Sequence, residues 1–250
     1  MTSQATRAAL APFLAANPFP GKLTDGLYFR DKMRAIHHVS PQVTGARVLE
    51  VGGGQSGLTK LLYPDAHITN LDFDPQFADA PCNNIEGQEF VAGDATNMPF
   101  EDASFDMVTM FDLLEHVPDD AAVARETLRV LKSGGCVLVS TPDIDRWRFP
   151  YYRAFAPISP SEETLFEDWG HVRRGYTQAE LDGLFGQPAA ATGAFINPWL
   201  AVSHDIAFSN LPKPLRLIGH VLASPISLYG WMRYRPEDPG TEIVARWDIH

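Results

Sequence analysis

Val48-Leu-Glu-Val-Gly-Gly-Gly-Gln-Ser-Gly-Leu58 is the stretch whose reading decides the fold. Residues 48–51 form an apolar run of strand length, the glycines form a turn, and Leu58-Thr-Lys-Leu-Leu62 opens a helix. A strand, a tight glycine turn and a helix start are the parts needed to hold an adenine-containing cofactor. Glycine lets the backbone approach a ligand and adopt φ > 0, and the first helical N–H groups are free. Gly52, Gly54 and Gly57 fit a G-x-G-x-x-G dinucleotide pattern, with Asp72 at the distance of a ribose-binding acid. Glu50 separates the readings. An acid just before the turn repels a pyrophosphate and suits a cationic ligand.

Outward from this stretch, strands and helices alternate. Residues 66–72 read as a second strand ending in Asp72, and residues 89–94 as a third ending in Asp94. Between them Pro81, Asn83, Asn84 and Gly87 leave a short helix and a loop. Residues 104–111 read as the fourth strand, 119–131 as a helix opened by Pro118, and 136–141 as the fifth strand, stopped at Pro142. Lys132-Ser-Gly-Gly135 ends the helix between them. This alternation predicts a parallel sheet with helices on both faces and ligands outside the carboxyl ends of the strands. Glu50, Asp72, Asp94 and Asp112 fall at or just beyond four successive ends.

Glu50-Val-Gly-x-Gly resembles motif I of the class I S-adenosylmethionine (SAM)-dependent methyltransferases, with Ser56 where that family usually has a further glycine. Gly-Asp94-Ala95-Thr-Asn-Met-Pro-Phe100 resembles the family's adenine turn, and Asp112-Leu-Leu-Glu-His116-Val resembles its segment after the fourth strand. The resemblance runs from about Val48 to Pro142. It implies an α/β, doubly wound, mostly parallel seven-stranded sheet with helices on both faces, an antiparallel last strand, and helical or loop cap insertions. It implies SAM as cofactor, with Glu50 toward the methionine ammonium, Gly52 and Gly54 in close approach, Asp72 on the ribose, Phe73 on the adenine face, and Asp94 with Ala95 on the adenine edge. Ser56 and Phe111 complete the implied cofactor set. Asp94 also reads as an Asx-turn closing its strand, and Asp72 as a turn residue before Asp74-Pro75.

At 250 residues the chain is expected to form a single domain. Residues 1–45 would be an arm and helix, 46–142 the cofactor core, 143–189 an acceptor-side cap, and 190–250 the last strands with a helical insertion at 198–240. Hydrophobic residues at 45% and charged residues at 20% exclude a disordered chain, and a net charge of −11 excludes a general nucleic-acid binder. Cys82 and Cys136 read as reduced thiols of a cytoplasmic protein. The N-terminus shows no apolar run followed by a cleavage site, and no run approaches a membrane span.

Residues 1–20 read as a short helix and an irregular arm, and residues 27–39 as a helix. On the latter, Tyr28, Arg30 and Arg34 either reach the cofactor carboxylate or form a solvated face. Residues 143–175 carry seven aromatics, Trp147 to Trp169, among prolines that forbid long elements, as expected of the wall and lid of an apolar acceptor pocket. Thr177 and Glu180 form a capping box on a helix over 178–185. His171 is the first candidate for a general base and His116 the second; each also reads as a structural histidine. Arg173 is a candidate for an acidic acceptor. No compact His, Cys or acid set has metal-ligand spacing, so no metal is expected. Residues 190–197 and 241–247 read as the last two strands. From Ile206 to Pro236 the chain has Lys213, Arg216, Arg233 and Arg235 and no acid. That segment reads as a membrane-surface or lipid-like-acceptor face, a homodimer contact, or an insertion burying its own apolar side.

The expected activity is SAM-dependent methylation of a small molecule, O-methylation preferred. The alternatives are a nicotinamide-dependent oxidoreductase on a Rossmann sheet, an aminopropyl-type transferase, and a non-catalytic SAM-binding protein.

Overall fold

The computed structural model describes residues 7–19, 26–43 and 46–250. The first residues of the arm, and Pro20, lie outside them. Seven strands form one sheet in the order β3-β2-β1-β4-β5-β7-β6. They are β1 (Arg47–Val51), β2 (His67–Asp72), β3 (Gln88–Ala92), β4 (Phe105–Phe111), β5 (Leu131–Pro142), β6 (Ala191–Phe195) and β7 (Glu242–Asp248). The first five pair in parallel, and β7 runs antiparallel to both β5 and β6. This is the doubly wound, mostly parallel sheet that the sequence pattern predicts, with its order reversing between β1 and β4.

The helices are α1 (Leu10–Ala15), α2 (Gly26–Val39), α3 (Leu58–Leu62), α4 (Asp120–Val130), α5 (Glu162–Trp169), α6 (Gln178–Phe185), α7 (Pro198–Ala207) and α8 (Lys213–Met232). Side chains alternate between two cores because successive strand residues point to opposite faces. Val48, Met107, Leu138 and Val244 pack with α2 and α3; Leu49, Val51, Val108, Val137 and Trp247 pack with α4 and α6. Apolar residues therefore fill most central strand positions, which is why these strands read as near-continuous apolar runs.

Two local features differ from the sequence reading, and the last insertion is helical as expected. Strand β5 begins at Leu131, not 136, and its register with β4 slips between Phe105 and Met107, so Lys132-Ser-Gly-Gly135 forms an irregular stretch within the strand. No α-helix joins β2 to β3; two single 3₁₀ turns, Pro75–Asp79 and Pro81–Asn84, fill the gap. The insertion between β6 and β7 is a helical pair in contact, α7 and α8.

Candidate functional site

The glycine turn is built on a buried polar layer. On β1, Glu50 lies opposite Asn70 of β2 and Thr109 of β4. All three are buried beneath the turn, and Thr109 Oγ1 hydrogen-bonds Thr59 Oγ1 of α3 at 2.8 Å. Asn70 Nδ2 donates to the Gly54 carbonyl at 3.0 Å, and Asn83 Nδ2 donates to the same oxygen at 2.9 Å. Asn83 thus clamps the turn from the 3₁₀ segment that its presence helps to make. Gly52, at φ +73°, lies against Leu113, where a Cβ would come within 2.6 Å of the Leu113 side chain. Only glycine combines that φ with that closeness.

Glu50 Oε1 accepts from Thr59 N at 3.3 Å, while Oε2 is buried without a partner. Burial, reinforced by Asp72, pushes this carboxyl up to about 7. Glu50 does not line the cleft above the turn. That cleft, about 930 Å³, is lined by Gly52, Gly54, Asp72, Phe73, Asp94 and Ala95 among others. Asp72 Oδ2 accepts from Gly54 N at 2.9 Å and Oδ1 from Asp74 N at 3.1 Å, so each oxygen keeps a lone pair for a ligand. Phe73 is 83% exposed on the cleft wall. Asp94 Oδ1 accepts from both N and Oγ1 of Thr96 at 2.8 Å, an Asx-turn that holds the carboxyl below its usual range and leaves Oδ2 open. Ser56 is occupied locally, donating to Gly53 O and accepting from Leu58 N. Phe111 packs into the α2-side core. The tertiary structure therefore brings Gly52, Gly54, Asp72, Phe73, Asp94 and Ala95 to one cleft and sets Glu50, Ser56 and Phe111 behind it.

A second, apolar pocket of about 340 Å³ adjoins the first, and Asp112, His116 and Trp169 line both. Its remaining walls include Tyr28, Phe29, Trp147, Phe195, His204 and Phe208. The cap loop is held in place by Asp205 of α7, whose carboxylate accepts from Tyr151 N and Tyr152 N at 2.8 Å each. The loop after α5 is pinned to the segment after β4. Val172 N and Arg173 N donate to the Glu115 carbonyl, and Tyr176 Oη donates to the Leu114 carbonyl at 3.0 Å. Arg173 itself is paired with Asp120 and Glu180 and stacks over Tyr176, so its charge serves this pinning.

The pinning sets His171 edge-on to His116, ring centroids 4.6 Å apart. His116 Nδ1 lies 3.3 Å from the Gly170 carbonyl. A carbonyl only accepts, so Nδ1 carries the hydrogen, and in the neutral ring Nε2 keeps its lone pair. His171 stands among Phe166, Trp169 and His116, and burial, then His116, pushes it down to about 4. It is a neutral imidazole at ordinary pH. The two rings and a Glu115 carboxylate oxygen offer ligand atoms within 4.8 Å of one another, a grouping invisible in the spacing of the chain and the one among the described residues with the makings of a cation site.

Several residues at this junction escaped the sequence reading. Lys32, on α2, forms an ion pair with Asp112, whose Oδ1 also accepts from Ser140 Oγ at 2.7 Å. Glu115 and Glu242 are buried beside them; burial and the neighbouring acids push Glu115 up to about 8 and raise Glu242 well above the ordinary carboxyl range. Lys32 was legible only as one more charge on a helix face. Of its neighbours on that helix, Arg34 stacks on Trp231 and Tyr234 and donates to the Trp231 carbonyl, Arg30 donates to the Leu14 carbonyl, and Tyr28 lines the second pocket rather than the cleft above the turn. Asp112 (φ +54°) and Ile196 (φ +55°) both hold left-handed backbone and both line the apolar pocket. For a β-branched residue such as Ile196 that conformation is strained, and strain of this kind concentrates at functional sites.

Seven strands in this order, with a glycine turn at the switch point and acids at the strand ends, define the class I SAM-dependent methyltransferase fold, and the chain has it. Residues 49–139 match the family described as a methyltransferase domain. Over 118 residues the chain is 40% identical to the phthiotriol/phenolphthiotriol dimycocerosates methyltransferase 1 of Mycobacterium ulcerans, covering 44% of this chain and 43% of that one. Over 131 residues it is 34% identical to a demethylmenaquinone methyltransferase of Listeria monocytogenes, covering 46% and 54%. The match thus spans about half the length of these curated relatives. A SAM-dependent methyltransferase structure from Thermotoga maritima superposes with a TM-score of 0.56 at 19% identity, over 92% of this chain and 93% of that one. That likeness is one of fold.

Proposed function

We propose that the protein transfers the methyl group of SAM to a hydroxyl of an apolar small molecule of lipid or quinone type. The observation that carries this reading is the shared wall. A cleft with ribose- and adenine-type acceptors shares Asp112, His116 and Trp169 with an aromatic pocket. Displacement at a methyl group needs the two reactants in one line and little water between them. Two relatives bear the names of methyltransferases acting on lipid or quinone molecules, which supports the acceptor class.

The residues present fit the cofactor. Gly52 and Gly54 leave the turn bare for close approach, and the open lone pairs of Asp72 face the cleft where ribose hydroxyls would donate. Asp94 Oδ2 and the Ala95 N–H suit the adenine edge, and Phe73 its face. Glu50 acts from beneath the turn, holding the start of the next helix through Thr59 N, and a cationic ligand above it would favour its ionised form. When bound, SAM supplies an electrophilic methyl on sulfur. The chain's own part is to orient the acceptor against the aromatic wall, exclude water with the Trp147–Trp169 cap, and take the hydroxyl proton. His171, pushed down to about 4, resists protonation, so the Nε2 of His116 is the ring atom we assign to receive it. The reading includes a cytoplasmic location, supported by the free thiols of Cys82 and Cys136.

Calorimetric titration with S-adenosylhomocysteine, with NADH in parallel, tests the cofactor assignment. Binding of the nucleoside and not of NADH is expected. Binding of NADH alone would replace this reading with an oxidoreductase.

A further inference from the structure

Helix α8 is built inside out. At about 100° per residue, the arc from Leu217 round to Ile226 covers about half of its circumference. Leu217, Ile218, Val221, Leu222, Leu228 and Met232 lie on that arc, all exposed, Leu222 at 74% and Met232 at 71%. No charged residue of the helix falls there. The opposite side, against α7, holds His220, Ala223, Ser227 and Gly230. There the helices approach so closely that a Cβ on Gly230 would come within 2.6 Å of Trp199 Cβ, and Ser227 Oγ meets Ser203 Oγ. A helix on a globular core does the reverse, burying its large apolar side chains and exposing its polar ones. An uninterrupted apolar surface of this extent marks an interaction site.

Charge names the occupant. Between Ile206 and Pro236 the segment has four basic residues and no acid, on a chain of net charge −11. Lys213 is exposed at the start of α8, and Arg233 and Arg235 are exposed just past its end. An apolar stripe flanked by cations matches the boundary between anionic headgroups and acyl chains. Among the described residues no helix is long and apolar enough to cross a membrane, so α8, about 30 Å long, would lie flat in the interface. Helix α7, on which α8 packs, carries His204 into the apolar pocket, and Phe208 follows on the same wall. The membrane-facing side and the pocket thus share one structural unit.

We propose that α8 seats this protein on the surface of an anionic lipid bilayer, its apolar face toward the acyl chains. The proposal does not depend on the methyl-transfer reading, because vesicle binding is measured with neither cofactor nor acceptor. The full chain is mixed with vesicles of phosphatidylcholine alone or with phosphatidylglycerol added, and the bound fraction is read by flotation. Binding to the anionic vesicles, weakened by salt, is expected. The double variant Leu222→Glu/Met232→Glu, at two exposed sites outside both pockets, lowers the partition coefficient at least about tenfold. Lys213→Glu/Arg233→Glu, a second variant at exposed positions, abolishes the preference for anionic over neutral vesicles. Circular dichroism melting confirms that each variant is folded. Absence of binding at about 0.1 M salt, or binding unchanged in the first variant, would overturn the proposal. So would a stable dimer by light scattering that the first variant dissociates, since the face would then belong to a second copy of the chain.

Discussion

Glu50 shows how a residue's type and its place carry different information. Its carboxylate was the reason to favour a cationic cofactor over a dinucleotide, yet the side chain ends beneath the turn with one oxygen unpartnered. A carboxyl raised from 4.5 to about 7 by burial loses stability for the fold as pH rises through that window, since the folded state retains a proton that the unfolded chain has released. Glu50→Gln removes this loss. Its melting temperature relative to the parent protein should climb between about pH 4.5 and 7 and stay level above, by about 7–14 °C in all, with weaker S-adenosylhomocysteine binding. Asp72 is the opposite case, open to the cleft. Asp72→Ala removes two charge-assisted acceptors and should weaken S-adenosylhomocysteine by about ten- to a hundredfold in the calorimeter. His171 titrates near 4, so its ring resonances in NMR should show no inflection between pH 6 and 8. An inflection near 6.5 would mean that the aromatic cage around it opens in solution.

At the scale of elements, what positions the junction is a set of clamps between segments distant in the chain. Asn197 caps α7 by accepting from Trp199 N and Leu200 N, and its Nδ2 donates to the Gly230 carbonyl of α8 at 3.0 Å. Asn197→Ala removes a cap and leaves a buried carbonyl unpaired, so urea unfolding should report a loss of about 1–3 kcal/mol. The capping box of Thr177 and Glu180 was legible because its partners sit three residues apart. The Asn197 clamp was not, because its second partner lies 33 residues away. The same holds for Asn83, which as a sequence feature only weakened a helix and in the fold holds Gly54.

For the whole molecule, the cofactor cleft lies along the carboxyl ends of the parallel strands, so a ligand there bridges elements from β1 to β4 and should stabilise them together. S-adenosylhomocysteine at about a hundred times its dissociation constant contributes about 2.7 kcal/mol and should raise the melting temperature by about 5–10 °C. NADH at equal concentration should leave it unchanged.

The sequence by itself determined the alternation of strands and helices in the cofactor half, the glycine turn and the acids at strand ends. These are local: a short apolar run, a turn that needs glycine, and an acid at or just past a strand end can all be read within a dozen residues. Only the tertiary structure decided which side chains share a cavity. Nothing in the spacing of Lys32, Glu115, His171 and Glu242 announces that they converge on Asp112 and His116, because their approach is set by how α2, the loop after α5 and β7 pack on the sheet. Nor does the apolar periodicity of α8 tell which of its faces is buried. Close packing against α7 requires small residues, and that requirement turned the large apolar face outward.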